Sequence, residues 1–112
     1  MRSNKHCLSI DLKNDDELIS AYKAHHKNVW PEIIKSIKAS GILSLEIYLV
    51  ENRLFMIIEV NSTFSFEKMN EMDSKNQKVQ EWENLMWKYQ QGLPMSKPNE
   101  KWRLMEQIFQ LD

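Results

Sequence analysis

One cysteine, two glycines and three prolines in 112 residues leave little from which to build a disulfide scaffold, a collagen-like chain or Gly/Pro-rich disorder. Cys7 alone closes no intrachain disulfide, which fits a reducing compartment and makes the cytoplasm the expected location. No stretch approaches the roughly 18–20 apolar residues that cross a bilayer, and Met1-Arg2-Ser3-Asn4-Lys5-His6 lacks the apolar run of a signal peptide. A soluble chain with no membrane partner is expected. Charge of one sign is scarce as well: fifteen Lys plus Arg face sixteen Asp plus Glu, net −1, with no basic run, which argues against nucleic acid as a partner. Gly41 and Gly92 are too few and too far apart for a phosphate-cradling loop, so ATP and dinucleotide chemistry are poor fits. His6, His25 and His26 have no metal-ligand spacing, and no local feature marks Cys7 as a nucleophile. No metal is expected.

What is present suits one compact domain spanning residues 1–112: 42% of residues are hydrophobic, 10% are aromatic, and no internal repeat or low-complexity segment appears. His6, Leu8, Ile10 and Leu12 alternate with Cys7, Ser9 and Asp11, as in a half-buried strand. Asn14-Asp15-Asp16-Glu17 then supplies a capping residue and negative charge for a helix N-terminus. Leu18, Ile19, Tyr22, Val29, Trp30, Ile33 and Ile37 share one helical face, interrupted by Pro31, which predicts a kink or a second helix beginning there; Gly41 is the expected stop. Ile42–Val50 and Arg53–Val60, separated by Glu51-Asn52, predict an antiparallel hairpin. A helical region from Asn61-Ser62-Thr63 carries Phe66, Met69, Met72, Val79, Trp82, Leu85, Met86 and Tyr89 up to Gly92 and Pro94. Trp102 to Leu111 returns to strand character.

The order β-α-β-β-α-β predicts a ferredoxin-like α+β fold, a four-stranded antiparallel sheet with both helical layers on one face. Phe55, Ile57, Trp102, Leu104 and Ile108 are expected on the other face, too much apolar surface to leave in water. Packing of two sheets face to face would cover them, giving a homodimeric α/β barrel of twofold symmetry.

The densest group of chemistry-bearing residues runs from Tyr22 to Glu32. Tyr22, His26 and Trp30 lie four apart, so a continuous helix stacks a phenol, an imidazole and an indole along one face, with His25 nearer its edge. Such a histidine either packs with a satisfied hydrogen bond or exchanges protons with a ligand flanked by aromatic surfaces. Glu46, Glu59 and Glu106 interrupt apolar strands; each is either a strand-end residue touching water or a carboxylate that binds hydroxyls or accepts a proton. Trp87 falls off the stripe formed by Trp82, Met86 and Tyr89, which makes it a candidate pocket wall or a cover for a neighbouring subunit.

The run Tyr22-x3-His26-x3-Trp30-Pro31-Glu32, followed by Gly41, Ile47-Tyr48-Leu49, Arg53-Leu54-Phe55-Met56, Trp87-Lys88-Tyr89 and Glu106-x-Ile108-Phe109, resembles the L-rhamnose mutarotase family in order and spacing over nearly the whole chain. The resemblance implies a small dimeric α/β-barrel enzyme that interconverts the α and β anomers of a 6-deoxy-L-hexose, L-rhamnose or L-fucose, without cofactor. It also implies that Tyr22 and Trp87 bind the sugar and that His26 is the proton donor. Met86 stands where the family has a further tryptophan, and Leu45 where it has a further tyrosine. On this reading His26 is the acid toward the ring oxygen, Tyr22 orients the sugar or relays a proton, Trp30 and Trp87 bind substrate, and Glu106 or a water takes the anomeric proton. The same element order also hosts cofactor-free monooxygenases, haem-binding relatives and noncatalytic sugar-binding modules.

Overall fold

A computed structural model describes residues 4–111. Strand β1 (Asn4–Leu12) leads into helices α1 (Asp16–His26) and α2 (Pro31–Ala39), then the hairpin of β2 (Ile42–Val50) and β3 (Arg53–Val60). Helices α3 (Phe66–Ser74) and α4 (Gln77–Trp87) follow, then the short strands β4 (Gln90–Gln91) and β5 (Arg103–Leu104). The sheet runs β2-β3-β1, with β4 and β5 both on the remaining edge of β1 and every pairing antiparallel. This is the ferredoxin-like order expected from the sequence, with its last strand divided. β4 takes Asp11 and Leu12, β5 takes Leu8 and Ser9, and the loop bearing Pro94 and Pro98 lies between them.

The expected final strand from Trp102 to Leu111 is therefore much shorter. After Met105 donates its backbone N–H to the Cys7 carbonyl at 2.8 Å, residues 106–111 carry no regular strand. Ile108, Phe109 and Leu111 are 89%, 75% and 84% exposed, so the apolar pattern that read as a strand meets no sheet of its own chain to cover it.

Pro31 starts a new helix instead of kinking one. It occupies the first turn of α2, where its missing N–H costs no hydrogen bond, and Trp30 is left in the connection as the N-cap. Asp15 caps α1, as expected, by accepting from Leu18 N at 3.0 Å. The second helical region also divides, because Asn76 Oδ1 accepts from the N–H groups of Lys78 and Val79 and opens α4. Its beginning lies later than expected, at the Ser65 cap, since Asn61 and Thr63 are tied to each other in a turn.

Leu8, Ile10 and Leu12 of β1, Leu54, Met56 and Ile58 of β3 and Leu45 and Ile47 of β2 face the helices. There Ile10, Leu12, Tyr22, Leu54 and Met86 form one buried cluster and Ile42, Ile58 and Val60 another. The pairing of Leu8 with Leu104 puts Leu104 on this helix side, and Trp102 packs against the first cluster. Both had been expected on the uncovered face, and the register of β5 against β1 reverses that assignment. Phe55 and Ile57 do lie opposite, beside Tyr48, Val50 and the ion pair in which Arg53 Nε donates to buried Asp11 at 2.8 Å.

Gly41 ends α2 with φ +101°, and a Cβ there would stand 2.7 Å from Asn61 Oδ1. Both facts forbid a side chain without movement of the Asn61 turn. Gly41→Ala is expected to lower unfolding free energy by about 1–3 kcal/mol in urea titrations; an unchanged midpoint would show that this turn relaxes freely.

Candidate functional site

A cavity of about 1090 Å³, partly open to solvent, lies between the helices and the sheet. Its walls come from α1 (Tyr22, His26), α2 (Ile33, Ile37), the strands (Leu45, Ile47, Met56, Ile58) and α4 (Trp82, Met86), with Gln90 and Trp102 closing one side. The volume lies just above the range, about 300–1,000 Å³, that ligand pockets occupy. An apolar, aromatic wall with a few polar groups favours a small molecule having both a hydrophobic face and hydroxyls.

Tyr22 and His26 meet here one turn apart on α1, with ring centroids 4.4 Å apart. His26 Nδ1 lies 2.9 Å from the Tyr22 carbonyl oxygen. A carbonyl only accepts, so Nδ1 carries the proton and Nε2 is the nitrogen free to exchange one. Burial pushes the His26 pKa below 6.5; the Tyr22 carbonyl opposes this and the neighbouring His25 adds to it. At neutral pH the ring is neutral and Nε2 is an acceptor.

Tyr22 is only 4% exposed and its hydroxyl accepts a hydrogen bond from Gln90 Nε2 at 3.1 Å. Burial pushes its pKa up to about 12, against the lowering effect of the Gln90 bond. The phenol therefore keeps its proton across the physiological range and serves as a donor. His25, on the adjoining side of α1, shares a 3.1 Å hydrogen bond with Tyr89 Oη through Nε2.

The other residues singled out from the sequence are dispersed. Because α1 ends at His26, Trp30 does not continue the stack; its ring packs on Trp82 with centroids 5.1 Å apart. Trp87 lines a neighbouring hollow of about 590 Å³ with Lys13, Asn84 and Gln91, and Lys101 Nζ lies 5.3 Å from its ring centre. Lys101 itself also borders the His26 cavity. Glu106 is exposed in the segment after β5, away from the cavity lining, because that segment does not form the strand that would have carried it inward. Glu46 bonds Tyr48 Oη at 2.6 Å and Glu59 pairs with Lys5 at 3.8 Å, both on the sheet face opposite the helices. Among the described residues no cluster of His, Cys, Asp and Glu is arranged to hold a metal ion.

Four contributors were missed. Trp82, its ring 5.7 Å from that of His26, had been read only as core, although its position four residues before Met86 on α4 marks the same wall. Gln90 carried no signal beyond being a polar residue between Tyr89 and Gly92. Asp73 and Glu83 border the cavity from α3 and α4. Met86 and Leu45 both line it, contributing a thioether and an aliphatic group.

Together these features define a ferredoxin-like protein whose aromatic-walled cavity brings an imidazole and a phenol together. The family model for L-rhamnose mutarotase matches residues 5–111. Over 99% of its length the chain is 37% identical to an L-fucose mutarotase of Xanthomonas campestris, covering 90% of that protein. The structure of an L-rhamnose mutarotase from Formosa agariphila superposes with a TM-score of 0.71 at 22% identity, over 96% of this chain and 98% of that one. A dimeric ferredoxin-like protein from an uncultured marine organism superposes with a TM-score of 0.54 at 16% identity, over 100% and 95%. The chain belongs to the L-rhamnose mutarotase family, enzymes of the isomerase class that interconvert sugar anomers.

Burial, with a smaller contribution from Glu83, raises the Asp73 pKa from 3.8 to about 6. A carboxyl whose pKa is raised by folding stabilises the fold fully below its unfolded value and loses that contribution as pH rises through the folded one. Asp73→Asn is therefore expected to be more stable than the parent at pH 7.5, by about 1 kcal/mol after allowance for solvent screening, and equal to it near pH 3.5. Thermal unfolding at the two pH values checks this.

Proposed function

We propose that the His26 cavity binds a 6-deoxy-L-hexose and that His26 and Tyr22 together open and reclose its ring. The observation that carries this reading is the His26 Nδ1 bond to the Tyr22 carbonyl, which leaves Nε2 as the exchanging nitrogen beside an apolar cavity. Mutarotation requires a proton removed from the anomeric hydroxyl and one delivered to the ring oxygen. Neutral Nε2 takes the first, the Tyr22 hydroxyl supplies the second, and the C1–O5 bond breaks to leave the aldehyde. After rotation about C1–C2 the hydroxyl adds to the other face, its proton returns to Tyr22, and the imidazolium gives its proton to the former carbonyl oxygen. This reverses the order expected from the sequence, in which His26 began as the acid; a ring held neutral by burial begins as the base. Tyr22 takes the complementary acid role, and no role is left for Glu106.

The apolar wall of Ile33, Ile37, Leu45 and Ile58 suits the C6 methyl of a deoxysugar, which a terminal hydroxymethyl would replace with an unpaired polar group. Similarity to the Xanthomonas protein supports L-fucose ahead of L-rhamnose. Trp82 supplies the stacking surface beside His26, and Trp87 contributes from the adjoining hollow, with Gln90 bordering both spaces. The protein is read as a homodimer: Phe55, Ile57, Tyr48 and Val50 share an uncovered sheet face, and the exposed Ile108, Phe109 and Leu111 add further apolar surface. The dimeric ferredoxin-like neighbour supports that assembly. A cytoplasmic setting is consistent with the lone free Cys7.

Saturation-transfer NMR between the anomers of L-fucose and of L-rhamnose should show exchange accelerated by catalytic amounts of protein. His26→Ala should lower kcat/KM by about 10²–10⁴-fold. Binding of both sugars without faster exchange would instead make this a noncatalytic module. Because neutral His26 is the working form, enzyme-dependent exchange should fall about tenfold per pH unit below its lowered pKa and level off above it; a rate that declines as pH rises through 6–7 would reinstate His26 as the initial acid. Light scattering should give twice the chain mass, with Ile57→Lys shifting it toward monomer; a monomeric parent would remove the dimer.

A further inference from the structure

We propose that Gln90 is a positioning residue for the proton transfer, acting through Tyr22; this rests on the acid–base reading above. Gln90 is 5% exposed, borders the same cavity, and donates from Nε2 to Tyr22 Oη at 3.1 Å. Burying a primary amide is costly unless its groups are used, and this one donates to the phenol.

The direction of the bond has chemical consequences. A phenol has one proton and two lone pairs; with the amide N–H on one lone pair, the hydroxyl proton is not consumed by Gln90 and is available to a ligand oxygen. When Tyr22 passes that proton to the ring oxygen of the sugar, the O–H bond breaks and negative charge gathers on Oη. The amide N–H already points at the atom that receives it, so stabilisation of that charge requires no reorganisation. On reclosure the sugar hydroxyl returns the proton and the charge disappears. Gln90 itself gains or loses no proton.

β4 explains how a two-residue strand holds this geometry. Gln90 pairs with Leu12 and Gln91 with Asp11, at the end of β1 where Lys13 N also donates to the Tyr89 carbonyl at 2.8 Å. The division of the last strand into β4 and β5 thus has a local result: it anchors Gln90 directly after α4, across from the buried turn of α1 that carries Tyr22.

Two substitutions separate the proposal from a merely structural role. Gln90→Glu retains size and an acceptor while removing the donor, so the carboxylate captures the Tyr22 hydroxyl proton; kcat for anomer exchange is expected to fall at least 100-fold with KM within about threefold. Gln90→Met removes donor and acceptor together and is expected to lose about tenfold, leaving the hydroxyl free without support for its charge. Each change should have little further effect in a Tyr22→Phe background, since Gln90 acts only through the phenol. Circular dichroism and thermal melting establish folding of every variant, and a Gln90→Glu chain that does not fold leaves the Gln90→Met cycle as the deciding measurement. Equal fractional losses in the Tyr22 and Tyr22→Phe backgrounds, or full activity of either folded Gln90 variant in an active parent, would overturn the positioning role alone. A parent that accelerates exchange of neither sugar would overturn the catalytic reading and this inference with it.

Discussion

Tyr22 joins the core of this protein to its chemistry. Its ring is buried with Ile10, Leu12, Leu54 and Met86, its carbonyl holds His26 Nδ1, and its hydroxyl receives Gln90. Packing that fixes the ring therefore fixes two polar relationships as well. A residue so enclosed has little rotamer freedom, and the imidazole one turn later inherits its orientation from the backbone rather than from a flexible side-chain partner. Because the nitrogen that faces the helix is already bonded, the proposed proton exchange falls to Nε2.

The same burial tunes both groups in useful directions. Desolvation disfavours charge, so it lowers the pKa of His26 and raises that of Tyr22. One becomes a neutral acceptor and the other a neutral donor, which is the pairing that ring opening of a hemiacetal requires. In both groups burial is the largest cause. The apolar wall beside these groups also suits the methyl-bearing side of a deoxysugar, so in the proposed function recognition and acid–base character have one origin. Met86 and Leu45 make that wall largely aliphatic, and Trp82 brings an indole ring to within 5.7 Å of the His26 ring.

Much of the architecture was legible in advance because it follows from local rules. The hairpin was marked by two apolar runs around Glu51-Asn52, the α1 cap by Asp15 and the α2 stop by Gly41, each a short-range effect of turn or capping chemistry. His26 and Tyr22 were legible for the same reason: four residues on a helix is one turn. Trp30 misled because Pro31 ended the helical register before the third member of the stack. Trp102 and Leu104 misled because alternation says which residues share a face but not which face it is. Glu106 was assigned inward on the premise of a strand that has no sheet of its own chain to join.

What the amino-acid order determined by itself is the sequence of elements, the pairing of Tyr22 with His26 on one helix, and the membership of the mutarotase family. Periodicity, capping and motif spacing act over a few residues and survive without knowledge of the rest of the chain. Tertiary structure alone decided that Gln90 reaches Tyr22 across 68 positions, that Trp82 walls the cavity while Trp87 borders its neighbour, and that His26 is held neutral. Those outcomes depend on strand register and on exclusion of water, and both exist only once distant segments have packed together.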